Sequence, residues 1–326
     1  MHLEEVNIEG FKSFSEKTNM GFQSGIGVIM GNNGVGKSNI LDAIVWAMGE
    51  DNLARLRCYD RDELFFSGSK SYPPAERVRV ELLFKEDSAD DKPIFKFSRN
   101  ISRKGRNRFR VEDKPCSRAD FLRKLDDLRL RHSLKTIIRQ EEINDFIQLP
   151  PQKRFSAVQN LLEMETEVDL ERQIREEVTP LFYRYMSYLM PLAEVRLDVI
   201  RQKGKRGIEI EVTLPGNRVR RAHQLSGGEK AITSLALKLA VFHMLDSQFY
   251  LLDEVEPSLD YTNHKSMQTF LKDVAADKQL IMITHLRSTI ELADTVHGIR
   301  TRFDGSSFMK FYFLMDERLL RLYKCC

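Results

Sequence analysis

Cysteine, tryptophan and proline are scarce in this 326-residue chain: four, one and ten residues. Cys58 and Cys116 stand far apart and Cys325 and Cys326 are adjacent, which excludes a disulfide framework and makes a reducing compartment the simpler expectation. An excess of one charge sign is missing as well. Lys and Arg total 51 against 48 Asp and Glu, a formal charge of +3. That excludes a histone-like polycation and leaves local basic patches open. No apolar run reaches membrane-spanning length, and MHLEEVNIEGFKSF carries charges where a signal peptide needs an apolar stretch. The expectation is a soluble intracellular protein with no membrane partner. What is present is 42% hydrophobic and 30% charged residues, enough to build one large domain or two lobes.

Leu3, Val6 and Ile8 alternate, and Ile26–Met30 is a short apolar run that stops at Gly31; both read as strands. Ile40, Leu41, Ile44, Val45 and Met48 follow at helical spacing, so the local order is strand, glycine-rich turn, helix. Residues 77–84 and 94–101 have a period near two, and a hairpin with Lys104-Gly105 at its turn is expected between Asn100 and Val111. Residues 117–135 and 152–178 read as helices. Pro150-Pro151 marks a helix start or a loop and Pro180 a break or a restart, after which Tyr183, Met186, Leu189 and Leu192 continue a helical face. Strands are expected at 208–214, 249–252, 280–283 and 310–314, with a helix over 265–275. No internal repeat or low-complexity tract interrupts this α/β pattern.

Three motifs carry chemistry. GNNGVGKS, Gly31 to Ser38, fits G-x-x-x-x-G-K-[ST] at every fixed position. In such a loop backbone N–H groups wrap phosphates, Lys37 adds a point charge, and Ser38 offers a hydroxyl to Mg²⁺. The bland alternative is a glycine turn without a ligand. FYLLDE, 249–254, brings two carboxylates to the end of an apolar strand: Asp253 would hold Mg²⁺ and Glu254 would polarise the attacking water. LSGGEK, 225–230, precedes a long helical face. Ser226, Gly227 and Gly228 form either a second anion-binding turn, meant for a partner's nucleotide, or an ordinary helix cap with Glu229 in the capping-box position.

Together GFKSF (10–14), GNNGVGKSN, LSGGEK, DEVEPSLD (253–260) and ITH (283–285) resemble the ATPase head of structural-maintenance-of-chromosomes (SMC) proteins, in order and over nearly the whole chain. These heads belong to the ABC-type ATPases, an architecture shared with coiled-coil repair ATPases and with RecF and RecN. The resemblance implies an α/β head with a RecA-like P-loop core, a mixed β-sheet and a helical signature lobe. It implies a division into an N-terminal lobe (1–165), a short remnant of a coiled-coil root (166–182) and a C-terminal lobe (183–326).

ATP and Mg²⁺ are the implied ligands. Asn32, Asn33, Gly34, Gly36, Lys37, Ser38 and Asn39 would hold the nucleotide, with Arg57 near it as a DNA-linked arginine. Gln140 resembles the Q-loop glutamine that reaches Mg²⁺ and the attacking water. Ser226, Gly227 and Gly228 resemble the signature residues that contact a γ-phosphate in trans. Asp260 resembles the aspartate at the dimer seam and His285 the switch histidine, which taken alone is also a core-edge histidine after a strand. Asn32 replaces a usual Pro, Val35 a frequent Ser and Glu256 a frequent Asp, and Pro257 stiffens that approach.

The resemblance further implies a slow ATPase, a second head (identical or paralogous), double-stranded DNA and a kleisin-type subunit as partners. It places the protein in the cytoplasm on the chromosome, or in the nucleus of a eukaryote. Only 163–180 remains where long arms would lie, so the chain reads as an arm-deleted head or as an armless relative of the RecF kind. The rivals in function are a RecF/RecN-like repair ATPase and a nucleotide-gated scaffold that recruits partners. Arg99, Arg103, Lys104, Arg106 and Arg108 crowd one hairpin, and further Arg and Lys residues stand at 201–206 and 218–221. Such charges suit phosphate contacts without sequence readout, or simply a solvated face.

Overall fold

The computed structural model describes residues 1–86, 94–202, 204–216, 218–255 and 264–314. The described strands are β1 (His2–Glu9), β2 (Thr18–Gly21), β3 (Ile26–Met30), β4 (Arg77–Lys85), β5 (Ile94–Ser102), β6 (Arg108–Val111), β7 (Lys114–Cys116) and β8 (Ile137–Ile138). They continue with β9 (Glu194–Gln202), β10 (Lys205–Leu214), β11 (Arg218–Arg221), β12 (Phe249–Asp253), β13 (Gln279–Ile283), β14 (Thr295–Thr301) and β15 (Ser307–Leu314). The helices are α1 (Lys37–Ala47), α2 (Arg118–Asp127), α3 (Asp145–Gln148), α4 (Pro151–Leu162), α5 (Glu167–Gln173), α6 (Thr179–Leu189), α7 (Gly227–His243), α8 (His264–Ala275) and α9 (Arg287–Ile290).

Two compact units emerge, and each draws on separated stretches of chain. One holds 1–137, 248–253 and 275–326; the other holds 138–247 and 254–274. These borders differ from the linear division at 165 and 182. The cause is strand pairing, because β3 near the N-terminus takes both of its neighbours, β13 and β14, from the last third of the chain.

The first unit contains two sheets. An antiparallel sheet runs β2-β1-β4-β5-β6-β7, and a mixed one runs β15-β14-β3-β13-β12 within the unit. β14, β3, β13 and β12 are mutually parallel, and β15 closes the edge antiparallel. α1 packs on β1, β4 and β5 of one sheet and on β12 of the other. Its residues Ile40, Leu41, Ala43, Ile44, Val45 and Trp46 are all buried, so the helix is apolar nearly all round. Parallel strands covered on both faces read as continuous apolar runs, which is why FYLLD and QLIMI are buried at every position.

The second unit is largely helical, with the small sheet β11-β10-β9. The helix expected over 152–178 ends at Leu162. A new one starts at Thr166, whose side chain caps Asp169 N, and continues through a π turn at Ile174–Val178 into α6. Pro180 therefore sits in the first turn of α6, where its missing N–H costs nothing, and does not break the run. Leu192 lies beyond the helix and is 79% exposed, because α6 stops at Leu189 just before Pro191. Among the described residues no helix is long and apolar enough to cross a membrane.

Candidate nucleotide site

The parallel strands dictate where the motifs meet. Ile29 of β3 pairs with Ile283 of β13, and Asp253 of β12 pairs with the same Ile283. The phosphate-type loop, Asp253 and His285 thus leave the sheet at one edge, the carboxyl ends of the strands, where open α/β sheets bind ligands. Thr284 N donates to the Ile29 carbonyl (3.2 Å), tying the approach to His285 to the strand that feeds the loop. Asp253 is buried and His285 is exposed.

The loop is built to approach an anion. Gly34 and Gly36 have φ of +78° and +92°, and a Cβ on Gly36 would stand 2.4 Å from Ser13 Oγ and 2.5 Å from Ser307 Oγ. Only glycine fits there. Gly36 caps α1 without any side-chain hydrogen bond, and the first turn holds no acid. The N–H groups of that turn therefore point outward with the positive end of the helix dipole behind them. Lys37 is buried, with Nζ donating to the carbonyls of Gly31 (2.9 Å) and Asn32 (3.1 Å). Asn32, Asn33 and Gly34 are exposed, and Ser38 and Asn39 are half-buried in the first turn.

A polar lattice fixes this turn from behind. Asn39 Nδ2 donates to Ser13 Oγ (2.8 Å), Ser307 N to the Ser13 carbonyl (2.8 Å) and Ser307 Oγ to the Val35 carbonyl (2.7 Å). Asp42, fully buried on α1, accepts from Lys12 Nζ (2.7 Å) and from Arg57 Nη2 (2.7 Å). Arg57, itself at φ +54°, also reaches Asn39 Oδ1 (3.5 Å). The GFKSF motif, the P-loop helix and Arg57 are thereby one connected unit.

Motif reading missed Ser13, Asp42 and Ser307. Asp42 alone left a signal in the sequence, as the single acid in the otherwise apolar stretch ILDAIVWA. Lys12, Ser13, Asn39 and Arg57 line a cleft of about 970 Å³, faced by Asp304. Hydrogen bonds from the Ser306 backbone and hydroxyl, and from Ser69, hold the Asp304 carboxyl down at about 2. Burial pushes the Cys58 thiol up despite nearby Lys12, so this cysteine stays protonated and unreactive.

Glu254 follows Asp253 with φ +48°, a left-handed backbone that a glutamate rarely adopts. Gln140 is exposed at the start of the 3₁₀ turn Gln140–Glu142. Ser226 caps α7 in a complete capping box: its N donates to Glu229 Oε2 (2.7 Å) and its Oγ accepts from Glu229 N (3.4 Å). Ser226 and Gly227 are exposed, and nothing stands within 4 Å of where a Gly227 Cβ would be. The cap and the open turn coexist. Asp260, with Glu256 and Pro257, lies outside the described residues.

The hairpin forms as expected, but Arg99 must be withdrawn from its outer face. It is 1% exposed, with its guanidinium over Trp46 at 4.5 Å and Nη1 donating to the carbonyls of Trp46 (2.7 Å) and Glu50 (2.9 Å). Its place in the strand pairs it inward, and burial lowers its pKa although Asp51 counters. Arg103 is half-buried against Phe65, while Lys104, Arg106 and Arg108 are exposed.

A glycine loop feeding a buried helix, an aspartate ending one parallel strand and a histidine just past the end of its neighbour, and a separate capped LSGGEK helix define the ABC-type P-loop head. The chain belongs to the RecF/RecN/SMC N terminal domain family, whose profile matches residues 2–307. It is 35% identical over 162 residues to the chromosome partition protein Smc of Mesomycoplasma hyorhinis, covering 49% of this chain and 16% of that protein. It is 37% identical over 140 residues to the Smc of Mycobacterium tuberculosis, covering 42% and 11%. The chain therefore matches only a small part of the length of these relatives. Among solved structures, an Smc head bound to the C-winged helix domain of ScpA aligns with a TM-score of 0.87 at 28% identity, over 98% of this chain and 100% of that one. The SMC head domain of Thermotoga maritima aligns at 0.67 and 28% identity, over 97% and 100%.

Proposed function

We propose that the chain is an ATP-binding, slowly hydrolysing head that closes on a second head around two ATP–Mg²⁺ and acts on DNA in chromosome organisation or segregation. One observation carries the reading: Lys37, Asp253 and His285 leave adjacent parallel strands at one edge, beside a helix start with no side-chain cap. The donor set fits the ligand. Ser38 and Asp253 offer hard oxygens suited to Mg²⁺, and among the described residues no group of three His, Cys, Asp or Glu could cage a metal by protein alone. That matches an ion whose remaining positions come from phosphates and water. When bound, Mg²⁺ would neutralise charge developing on the transferred phosphoryl group.

The chain's own residues do the rest. Lys37 and the first N–H groups of α1 hold the phosphates, with Asn32, Asn33, Gly34, Gly36 and Asn39 shaping the cradle. Arg57 and its cleft receive the remainder of the nucleotide. Glu254 takes the proton of the attacking water, Gln140 orients that water and the metal, and His285 faces the γ-phosphate. Ser226–Gly228 of the partner head, and Asp260 at the seam, complete the site in trans. The resemblance to a head bound to a ScpA domain supports a kleisin-type subunit as a further partner. Lys104, Arg106 and Arg108 supply non-specific contacts to double-stranded DNA.

Light scattering on the Glu254→Gln variant tests the central claim. A dimer with ATP–Mg²⁺ and a monomer without it are expected; a monomer under both conditions refutes a sandwich of identical heads. DNA affinity should fall steeply between low and physiological salt, and a flat dependence would remove the hairpin from the reading.

A further inference from the structure

Within the first unit, the segment that follows α1 and the β5–β6 hairpin line a second cleft, of about 400 Å³. It shares no lining residue with the larger cleft at Lys12 and Arg57. A volume of that order suits a small molecule, since such sites hold about 300–1,000 Å³. Its floor is apolar: Trp46, Leu53, Leu56, Leu64 and Ile101. Its polar lining is cationic, with Arg61, Arg99 and Arg106 against one carboxylate, Asp51.

That carboxylate is already engaged, accepting from Arg99 Nη2 and from Arg118 Nη2 (2.6 Å). Arg61 donates to the carbonyls of Ser102 (2.8 Å) and Gly105 and meets no carboxylate among the described residues. Arg106 is exposed and has no ion pair among them either. Two buried atoms are also left over. Arg99 Nε, on a side chain only 1% exposed, has no acceptor, and Asn107 Oδ1 has no donor, although nearly every buried polar atom in a folded protein is paired. The Arg99 guanidinium is clamped over the rings of Trp46 (4.5 Å) and Phe109 (5.3 Å), so its free donor is held ready without further ordering.

The leftover donor calls for an anionic oxygen, the leftover acceptor for an N–H or O–H, and the floor for a flat apolar body. Water could serve the two polar atoms but gains nothing from the apolar floor. We propose that this cleft binds a small aromatic anion: a planar apolar body that carries a carboxylate, sulfonate or phosphate together with a hydrogen-bond donor. The anionic group meets Arg99 Nε and Arg106, the donor meets Asn107 Oδ1, and the rings lie on Leu53 and its apolar neighbours. The inference stands apart from the nucleotide reading, since none of the cleft residues lines the nucleotide cleft.

The chain's only tryptophan, Trp46, lines the cleft, so its emission reports occupancy. The probe is anilinonaphthalene sulfonate, a planar body with one anionic group and one N–H; phenylnaphthylamine, the same body without the anion, is the control. The sulfonate should quench Trp46 saturably and bind roughly tenfold or more tighter than the neutral compound, the worth of one hydrogen bond to a charged group. Arg106→Glu, at an exposed position outside the core, should weaken the sulfonate by roughly fivefold and leave the neutral compound unchanged. Naphthoate, an unlabelled aromatic carboxylate, should displace the probe, and ATP–Mg²⁺ should not. Equal affinity for the charged and neutral compounds, an Arg106→Glu variant that binds the sulfonate as before, or displacement by ATP–Mg²⁺ would overturn the inference. A short single-stranded oligonucleotide that displaces the probe where naphthoate does not would overturn it too, and would assign the cleft to a nucleic-acid base.

Discussion

Two helices begin with glycine-rich turns, and their first turns are finished in opposite ways. α1 starts at Gly36 with no side-chain cap and no acid in its first turn. α7 starts at Ser226 with its cap closed by Glu229, which in turn pairs with Arg220 (3.2 Å). The first turn carries no side-chain cap and is braced from behind by Ser13, Ser307 and Asp42. The second is satisfied within its own chain yet keeps its outer surface open. On the proposed function, the uncapped helix start receives the chain's own nucleotide. The capped one would meet a partner's phosphate, and its 3.4 Å Oγ contact is long enough to be exchanged readily.

This contrast can be broken experimentally. The largest effect on ligand binding should come from Lys37→Ala, which removes the buried cation of the braced turn. ATP affinity should drop roughly 100-fold, the worth of its charge-assisted bonds, as read by titration calorimetry.

Next comes acid stability of the sheet behind that turn. His297 of β14 is buried between Phe22 and Tyr312, one residue before Gly298, which pairs with Met30. Burial holds it at about 4, only partly offset by the Gly21 backbone. Between pH 6.5 and about 4 the unfolded chain binds a proton that the folded chain does not, so stability falls as pH drops through that window and levels off below it. The loss should be about 3 kcal/mol, and His297→Phe should flatten it in urea titrations across that range.

A smaller effect, confined to the other turn, is expected from Ser226→Arg. ATP binding by the single chain should survive, while the ATP-dependent dimer weakens by about tenfold or more in light scattering. If ATP affinity falls with it, the two turns are not separate half-sites. Smallest is Ser226→Ala, which removes one cap oxygen and should cost about 0.5–1 kcal/mol in chemical unfolding.

Much of this was legible in the sequence because motif and strand period agree. GNNGVGKS follows β3 and FYLLD is β12, both at or near their expected bounds. Six of the described strands, β2, β7, β8, β9, β11 and β14, were not anticipated, and β9 and β14 are the long ones among them. β14, TVHGIRT, mixes His, Gly and Arg into a strand whose burial comes from β3 and β15, not from its own apolarity. β9, EVRLDVIRQ, does alternate, but its exposed charges and the helical spacing running up to Leu192 obscured it. Arg99 shows the same limit at the level of a site: a strand residue in a basic run looks solvated until the pairing register turns it onto Trp46. Ser13 and Ser307 are legible only after folding, since they meet each other across nearly the full length of the chain, and the lone acid Asp42 gains its meaning only from Lys12 and Arg57.

That long-range pairing has a consequence for biosynthesis. β3 carries the P-loop, but both strands that flank it, β13 and β14, are synthesised long after it. Until then its amides and carbonyls have no ladder to join, and the apolar face of α1 lacks part of its cover. The nascent chain must wait with its most apolar strand exposed, a topology of high contact order that folds slowly and invites chaperone capture. The P-loop cradle is synthesised before the strands that complete it and becomes competent only after them.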